Sequence, residues 1–175
     1  MLSGFFKKLL MTKQLRFIEG DVAVFDINHV LQPAIGQVYL HDLLLKKFGE
    51  GGKSVVYEAG RGTAKDVADE LYNKFKVKGL ESVSLWQNLI ELNGLAKIKS
   101  VSPKEGGRVV VEATSIIAKN VVEKQGKSKG RRIDVFLAGF LAGVFSQIYG
   151  KELRCDEIKC IAEGEPFCLF AVQPK

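Results

Sequence analysis

The three cysteines of this chain all lie within its last 21 residues, as Cys155, Cys160 and Cys168. Gly164 stands midway between the second and the third of them, inside the turn-forming segment 163–166, Glu-Gly-Glu-Pro. The segments on both sides of this turn are rich in apolar residues, which is typical of a β-hairpin. In an antiparallel pair folded at Gly164, positions 160 and 168 are directly opposite, with Cβ atoms about 4.5–5.5 Å apart. The spacing therefore predicts two sulfur atoms that face one point.

Two opposed thiols can bind a metal, form a disulfide or pack as free cysteines. No secretory signal is evident, because basic residues interrupt the apolar residues of the first twenty, namely Lys7, Lys8, Lys13 and Arg16. We therefore expect a cytoplasmic protein, and a reducing cytoplasm disfavours a disulfide. A metal site and a pair of buried free cysteines both remain compatible with the pattern.

Glu157 is close enough in sequence to act as a third ligand of a metal held by Cys160 and Cys168. Zinc takes about four ligands at roughly 2.0–2.3 Å, drawn from cysteine, histidine, aspartate and glutamate. An offset of three places Glu157 and Cys160 on opposite faces of a regular strand. Joint ligation therefore requires a β-bulge or a strong local twist between these two residues.

The composition is that of a globular protein, with 46% hydrophobic and 26% charged residues in 175. We expect residues 1–175 to form a single domain, since no repeat or linker divides them. The net charge of +6 is spread over many segments. Its densest run contains no aromatic residue for base stacking and is interpreted as a solvated loop, formed by Lys124, Lys127, Lys129, Arg131 and Arg132. Direct nucleic-acid binding is therefore not expected.

Two apolar segments raise the question of membrane contact. The segment Ile133–Tyr149 is short for a bilayer span and contains Asp134, so we predict a buried core helix and no membrane span. Residues 1–14 are predicted to form an amphipathic helix with one apolar stripe, made of Leu2, Phe5, Phe6, Leu9 and Leu10. Such a helix can lie on a membrane, but docking on the domain or on a second subunit is commoner. The stripe therefore favours a homodimer.

Hydrophobic periodicity predicts an α/β (α+β) fold, with helices packed on a mixed or antiparallel sheet of about five strands. Helical spacing is found in five internal segments, Ala34–Phe48, Thr63–Phe75, Leu80–Asn93, Ser115–Glu123 and Ile133–Tyr149. Extended structure is predicted for Phe17–Ile27, with an interruption near Gly20. It is also predicted for a hairpin of Ala96–Val101 with Arg108–Ala113 and for the terminal hairpin of Glu152–Ala162 with Phe167–Val172. The terminal hairpin is the one that carries the predicted metal site.

Catalytic patterns are scarce. His29 and His41 have no cysteine or serine partner at a recognisable spacing, and no nicotinamide or flavin fingerprint is present. Gly139 and Gly143 form a small-residue ridge on the most apolar helix. Such a ridge either lets a neighbouring element approach closely or leaves space for a ligand. No catalytic residue is therefore predicted.

The C-terminal pattern resembles the signature of the 4-vinyl reductase domain family. The resemblance rests on Asp134-x(4)-Gly139-x(3)-Gly143-x(6)-Gly150-x(6)-Glu157-x-x-Cys160-x-Ala162-x-Gly164-x-Pro166-x-Cys168-x-Phe170. This family is related in fold to the phenol-sensing domains of bacterial transcriptional activators and to subunits of the TRAPP vesicle-tethering complexes. The resemblance implies a small-molecule-binding module that is usually dimeric. In the sensor relatives a structural zinc is held by a helix cysteine, a glutamate and two hairpin cysteines.

Carried over by position, this resemblance implies that Glu157, Cys160 and Cys168 are zinc ligands here. Asp134 stands where the sensors have the helix cysteine, and aspartate is an acceptable oxygen ligand for zinc. An acidic residue at a helix start is also favoured by capping and by the helix dipole. Cys155 has no counterpart in the pattern, so it either replaces Asp134 as the fourth ligand or is inert.

The sequence thus favours a sensor or carrier domain with a structural zinc site, whose expected partners are a small apolar ligand and a second copy of the chain. Four residues are predicted to line the ligand cavity between helices and sheet, Trp86, Phe136, Phe140 and Val144. For Trp86, core packing is the alternative role. Two other functions remain open: an accessory protein or reductase component in tetrapyrrole (bacteriochlorophyll-type) biosynthesis, implied by the family name, and a dimeric assembly module.

Overall fold

In a computed structural model, the chain is described over residues 4–30, 32–127, 129–130 and 132–175. Leu2 of the predicted N-terminal stripe and Arg131 of the basic loop lie outside the described residues, as do the side chains of Phe5, Phe6 and Leu10. Leu9, the remaining member of the stripe, is only 3% exposed. At this residue the N-terminal helix therefore packs against its own domain.

The described residues form six helices and two antiparallel sheets. The helices are α1 (Gly4–Met11), α2 (Ala34–Phe48), α3 (Glu50–Phe75), α4 (Val83–Leu92), α5 (Ile116–Gln125) and α6 (Val135–Tyr149). The strands are β1 (Leu15–Ile18), β2 (Asp21–Val24), β3 (Ile27–His29), β4 (Ala96–Lys104), β5 (Arg108–Ser115), β6 (Leu153–Lys159) and β7 (Cys168–Pro174). The first three strands form one sheet, and the second sheet has the order β4-β5-β7-β6.

The predicted α/β class, the antiparallel sheet and the C-terminal hairpin are confirmed, but the strands are divided differently. The segment from Phe17 to Ile27, predicted as extended structure with one interruption near Gly20, turns there and again at Phe25 and Asp26, and makes a sheet of its own. Its second turn places Phe25 and Asp26 at φ +55° and +66°. Two successive positive φ values give the turn twist that matches a tight hairpin. The main sheet consequently has four strands instead of about five.

Helix α3 begins at Glu50, thirteen residues before the predicted start at Thr63. The missed half contains Gly51, Gly52, Gly60 and Gly62, which weaken any helical pattern read from propensities. Two of these glycines are needed for packing. A Cβ atom on Gly52 would clash with the backbone of Leu44 in α2, and one on Gly60 would clash with the backbone of Phe136 in α6.

Helix α6 is the centre of the domain. It packs against α3 on one side and against β6 and β7 on another, and all nine residues from 137 to 145 are buried. The prediction of a buried core helix is confirmed. In the described part of the chain, none of the helices combines the length and the hydropathy that a bilayer span requires.

Candidate metal centre and ligand cavity

Four buried ionisable side chains converge where α6 meets the C-terminal hairpin. Asp134 precedes α6, Glu157 lies on β6, Cys160 follows β6, and Cys168 opens β7. One oxygen or sulfur atom from each lies within 4.8 Å of those of the other three. Exposed fractions are 1% for Asp134, 8% for Glu157 and 0% for both cysteines. We refer to these four residues as the acid–thiol cluster.

A register shift in the hairpin brings Glu157 to the same side as Cys160. Glu157 pairs with Phe170, whereas Lys159 pairs with Leu169, so Ile158 is an extra residue on β6. This is the β-bulge that joint ligation by residues 157 and 160 requires. Continuing the register by one residue beyond Lys159 places Cys160 opposite Cys168, as the sequence predicts.

The turn between the cysteines is wider than a hairpin folded tightly at Gly164. A short 3-10 helix covers Ile161–Glu163, and Gly164 follows it at φ +104°, a left-handed conformation that favours glycine. The backbone N–H of Ile161 lies 3.4 Å from Cys168 Sγ and donates to it. The turn therefore directs a backbone donor at one sulfur of the cluster.

Asp134 is held by contacts from three different elements. Ser115 Oγ donates to Asp134 Oδ1 at 2.6 Å, and Cys168 Sγ lies 3.3 Å from Oδ2. The backbone N–H of Asp134 donates to Glu157 Oε2 at 3.2 Å. The Asp134 side chain makes no capping hydrogen bond to α6. The capping role considered for this residue is therefore not observed, and the carboxylate faces the cluster.

Ser115 contacts the acid–thiol cluster, and the sequence did not reveal this contact. Its buried hydroxyl accepts a hydrogen bond from the backbone N–H of Ala118 at 3.0 Å and so caps α5. The same hydroxyl donates to Asp134. A serine at the start of a predicted helix is a capping signal. Its contact with a residue 19 positions later follows no sequence period, so no local pattern could have revealed it.

The electrostatics of the cluster favour a bound cation. Burial raises the pKa of Asp134 to about 7. Burial, together with the nearby Asp134 and Cys160 groups, raises the pKa of Glu157 well above its usual range. The hydrogen bond between the two thiols lowers the pKa of Cys160 to about 6 and raises that of Cys168. Asp134, Glu157 and Cys168 therefore resist ionisation beside the Cys160 thiolate unless a positive charge joins them.

A zinc ion fits this donor set. Two sulfurs and two carboxylates are a ligand combination that zinc accepts, and four is its usual number in structural sites. Glu157 Oε1 is buried and has no hydrogen-bond partner, which is a costly arrangement for a carboxylate oxygen without a ligand to bind. Bound there, zinc would supply the charge that lets all four side chains ionise.

Cys155 lies outside the cluster. It is buried on β6 at 2% exposure, and its backbone N–H donates to the Tyr57 hydroxyl at 2.9 Å. Burial raises the pKa of its thiol. Among the described residues it is Asp134, and not Cys155, that lies with the other three candidate ligands.

The raised carboxyl pKa values predict an unusual pH dependence for the metal-free protein. Between about pH 4, near the pKa of an unfolded carboxyl group, and about pH 6, folded Asp134 keeps a proton that the unfolded chain releases. The folded state then binds more protons, so the free energy of unfolding falls as the pH rises. Above about pH 6 the lowered pKa of Cys160 has the opposite effect, because the folded state releases this proton before the unfolded chain does, and the free energy of unfolding then rises with pH.

Urea unfolding with a chelator, at about pH 4.5 and about pH 6, tests this in wild type and Asp134→Asn. The variant keeps an oxygen for the Ser115 hydroxyl but has no proton to lose. We expect the wild type to lose stability relative to the variant as the pH rises. A difference between them that is constant across the two pH values would mean that the pKa of Asp134 is not raised.

A cavity lined in part by α6 contains no residue of the main sheet in its described lining. It has a volume of about 460 Å³. Its apolar walls include residues of α3, α4, α5, α6 and the segment just before β4, namely Val67, Leu89, Leu95, Ile117, Phe136 and Phe140. Its polar lining includes Asn28, His29, Gln37 and Asn93. No aspartate, glutamate, lysine or arginine of the described residues lines it.

The four residues predicted to line a ligand cavity do not share one. Phe136 and Phe140 line the 460 Å³ cavity. Trp86 and Val144 instead line a gap of about 10 Å³ between α4, α6 and the main sheet. Trp86 also lines a separate cleft of about 200 Å³ between α3 and α4. Trp86 is 4% exposed, and its ring meets that of Phe140 edge to face at 5.8 Å between centroids. Trp86 is therefore a buried residue that packs against Phe140, which in turn lines the 460 Å³ cavity.

Solved structures of other proteins share this fold. The phenol-responsive sensory domain of the transcription activator PoxR, solved with phenol, matches at a TM-score of 0.79 and 16% identity over 99% of this chain and 92% of that one. A trafficking protein particle complex subunit 3 from Naegleria fowleri, covalently bound to palmitic acid, matches at 0.58 and 13% identity over 81% and 92%. At these identities the likeness establishes the fold alone.

Two further matches come from Methanocaldococcus jannaschii, and a third is to a family model. A vinyl-4-reductase family protein from Methanocaldococcus jannaschii matches at a TM-score of 0.51 and 18% identity over 83% of each chain. An uncharacterized protein of the same organism is 28% identical over 95 residues, which are 50% of this chain and 56% of that protein. This chain thus spans little more than half the length of that relative. The family model of the 4-vinyl reductase domain matches residues 116–174. Over this stretch, which contains the whole acid–thiol cluster, the resemblance to the 4-vinyl reductase domain family is therefore confirmed.

Proposed function

We propose that this chain is a regulatory, ligand-sensing domain that binds a small, largely apolar molecule and carries a structural zinc ion. The observation that carries the ligand-binding part is the cavity of about 460 Å³ with no charged residue in its described lining. Ligand cavities typically measure about 300–1,000 Å³ and combine apolar walls with a few polar groups. In this proposal residues 1–175 act as one domain in a reducing, cytoplasmic compartment that keeps the three cysteines free.

The polar lining favours an uncharged ligand with one hydrogen-bonding end. His29 Nδ1 lies 2.8 Å from the carbonyl oxygen of Ile27, and a ring nitrogen facing a carbonyl must donate. In the neutral ring Nε2 is then an acceptor. An apolar body packed against Phe136 and Phe140, with a donor group near His29, would satisfy both parts of the lining.

The zinc and the ligand would act on the same helix. Asp134 immediately precedes α6, and Phe136 and Phe140 lie on its first two turns. Zinc would fasten the start of this helix to the hairpin through Cys160 and Cys168. The PoxR sensory domain, which is described as phenol-responsive, supports the sensing part of the proposal by its shared fold.

A fluorescent, uncharged apolar probe tests the cavity. We expect N-phenyl-1-naphthylamine to bind saturably to the wild type. Val67→Trp adds a large side chain to the cavity wall and should weaken binding by about tenfold or more. Val55→Trp is the matched control, because Val55 lies on the same helix, is 58% exposed and does not line the cavity. Equal binding by all three proteins, or no saturable binding, would contradict the assignment.

We also propose that the chain forms a homodimer, a state favoured by one exposed helix face. Tyr39, Leu40 and Leu43 of α2 are 59%, 54% and 64% exposed. Neighbouring apolar side chains that are exposed on one element are typical of an interaction surface. Light scattering should report about twice the chain mass of 19.3 kDa.

A pair of substitutions locates this interface. Leu43→Asp should convert the dimer to a monomer because it places a charge on the buried contact. Leu80→Asp introduces the same charge at a residue that is 61% exposed and not on α2. This variant should remain dimeric. A wild-type protein that is monomeric at all concentrations would end the proposal.

A further inference from the structure

A second cleft reaches the acid–thiol cluster from the surface. It has a volume of about 430 Å³ and lies between the first turns of α3, the start of α6 and β6. Its lining includes Ser54 and Tyr57 from α3, Val135 and Ala138 from α6, and Glu157 from β6. The cleft is separate from the 460 Å³ cavity, with which it shares no described lining residue.

Within the cluster, all of whose residues are described, Glu157 alone lines this cleft. Its Oε2 accepts the backbone N–H of Asp134, whereas its Oε1 is buried without a hydrogen-bond partner. The other three members are 0–1% exposed, and Glu157 is 8% exposed. Glu157 thus belongs both to the candidate metal site and to the lining of the cleft, and one of its carboxylate oxygens has no hydrogen-bond partner.

The walls of the cleft carry charges that suit a passing cation. Glu50 and Asp156 line it together with Glu157. The described lining also holds two basic residues: Lys53 Nζ pairs with Glu50 at 2.8 Å, and Arg132 Nη1 donates to the carbonyl oxygen of Glu157 at 3.0 Å. Acidic residues of the lining therefore outnumber basic ones by one. Carboxylates near a narrow entrance raise the local concentration of cations.

We propose that this cleft is the route by which a divalent metal ion, zinc in the first instance, enters and leaves the acid–thiol cluster, and that Glu157 is the ligand it meets first. The inference rests on the metal site of the proposed function. The Tyr57 hydroxyl accepts the backbone N–H of Cys155 at 2.9 Å and so joins α3 to β6 on one wall of the cleft. In this proposal the ion passes from the cleft to the cluster by rotation of the Glu157 carboxylate.

Metal-exchange kinetics test the route. Ser54→Trp fills the cleft from an exposed position of α3, and Val55→Trp places the same side chain on the neighbouring, outward-facing position. Zinc uptake and zinc release to excess chelator are followed by stopped flow. We expect Ser54→Trp to slow both by about tenfold or more, while the dissociation constant, their ratio, stays within about twofold. Val55→Trp should exchange at the wild-type rate.

A charge test keeps the proposal open to refutation if Ser54→Trp does not fold. The double variant Glu50→Gln, Asp156→Asn should slow zinc uptake, most strongly at low ionic strength. Glu58→Gln, an exposed acidic residue of the same helix that does not line the cleft, is the control. Unchanged uptake in the double variant and equal exchange in both tryptophan variants would overturn the route. A wild-type protein without stoichiometric zinc would instead overturn the metal site itself, a failure that elemental analysis detects before any kinetics.

Discussion

Removal of zinc is expected to lower the free energy of unfolding by several kcal/mol. An ion that binds only the folded state stabilises it by about 4 kcal/mol when free zinc is about 1,000 times the dissociation constant. Structural zinc sites contribute to folding in this way because the unfolded chain has no preformed site. Here the ion would join the start of α6 to both strands of the hairpin through Asp134, Glu157, Cys160 and Cys168. Urea unfolding with zinc and with chelator measures the difference.

Two cysteine variants separate ligation from packing. Cys160 and Cys155 are both buried, at 0% and 2% exposure, so serine costs about 1–3 kcal/mol at either place by burying a hydroxyl. Only Cys160→Ser should also abolish the stabilisation by added zinc. Cys155→Ser should keep about one zinc per chain by elemental analysis. Equal zinc-dependent stabilisation in the two variants would show that the ligands are assigned wrongly.

The hairpin and the facing positions of its cysteines could be predicted from the sequence because their geometry is local. Gly164, the turn composition and the symmetric spacing of Cys160 and Cys168 are all contained in nine residues. The requirement for a bulge beside Glu157 also followed from strand geometry, and the register shift at Ile158 meets it. The contact from Ser115 did not follow, because it joins the end of β5 to the start of α6.

The position of the cavity could not be predicted for a related reason. Periodicity marks Trp86 and Val144 as members of apolar faces, but it does not say which face remains incompletely filled. That depends on where the N-terminal sheet docks. The sheet is anchored far along the chain, since Asp26 pairs with Lys74 and the Phe25 ring meets the Phe75 ring edge to face at 4.9 Å. Its strand β3 then supplies part of the polar side of the cavity.

Among glycine-to-alanine substitutions, which add one methyl group, the largest loss in the free energy of unfolding is expected where α3 crosses α6. A Cβ atom on Gly139 would clash with the backbone oxygen of Tyr57, and one on Gly143 would lie 2.8 Å from the backbone oxygen of Arg61. Backbone atoms of a packed helix cannot rotate away, so the helices must separate. The two glycines therefore permit close packing between helices, which decides between the two roles, packing and ligand space, that the sequence leaves open.

Gly139→Ala should accordingly destabilise the protein by about 1–3 kcal/mol or more, as overpacking does. The same substitution at Gly62 should stabilise it by about 0.5–1 kcal/mol, because Gly62 lies within α3 with no atom within 4 Å of its would-be Cβ and alanine is the better helix former. Thermal and urea unfolding of the two variants compare one chemical change at two helical glycines. Opposite signs are expected. If both substitutions stabilised the protein, α3 and α6 could not be in the close contact that positions Tyr57 beside β6 and Asp134 beside the hairpin.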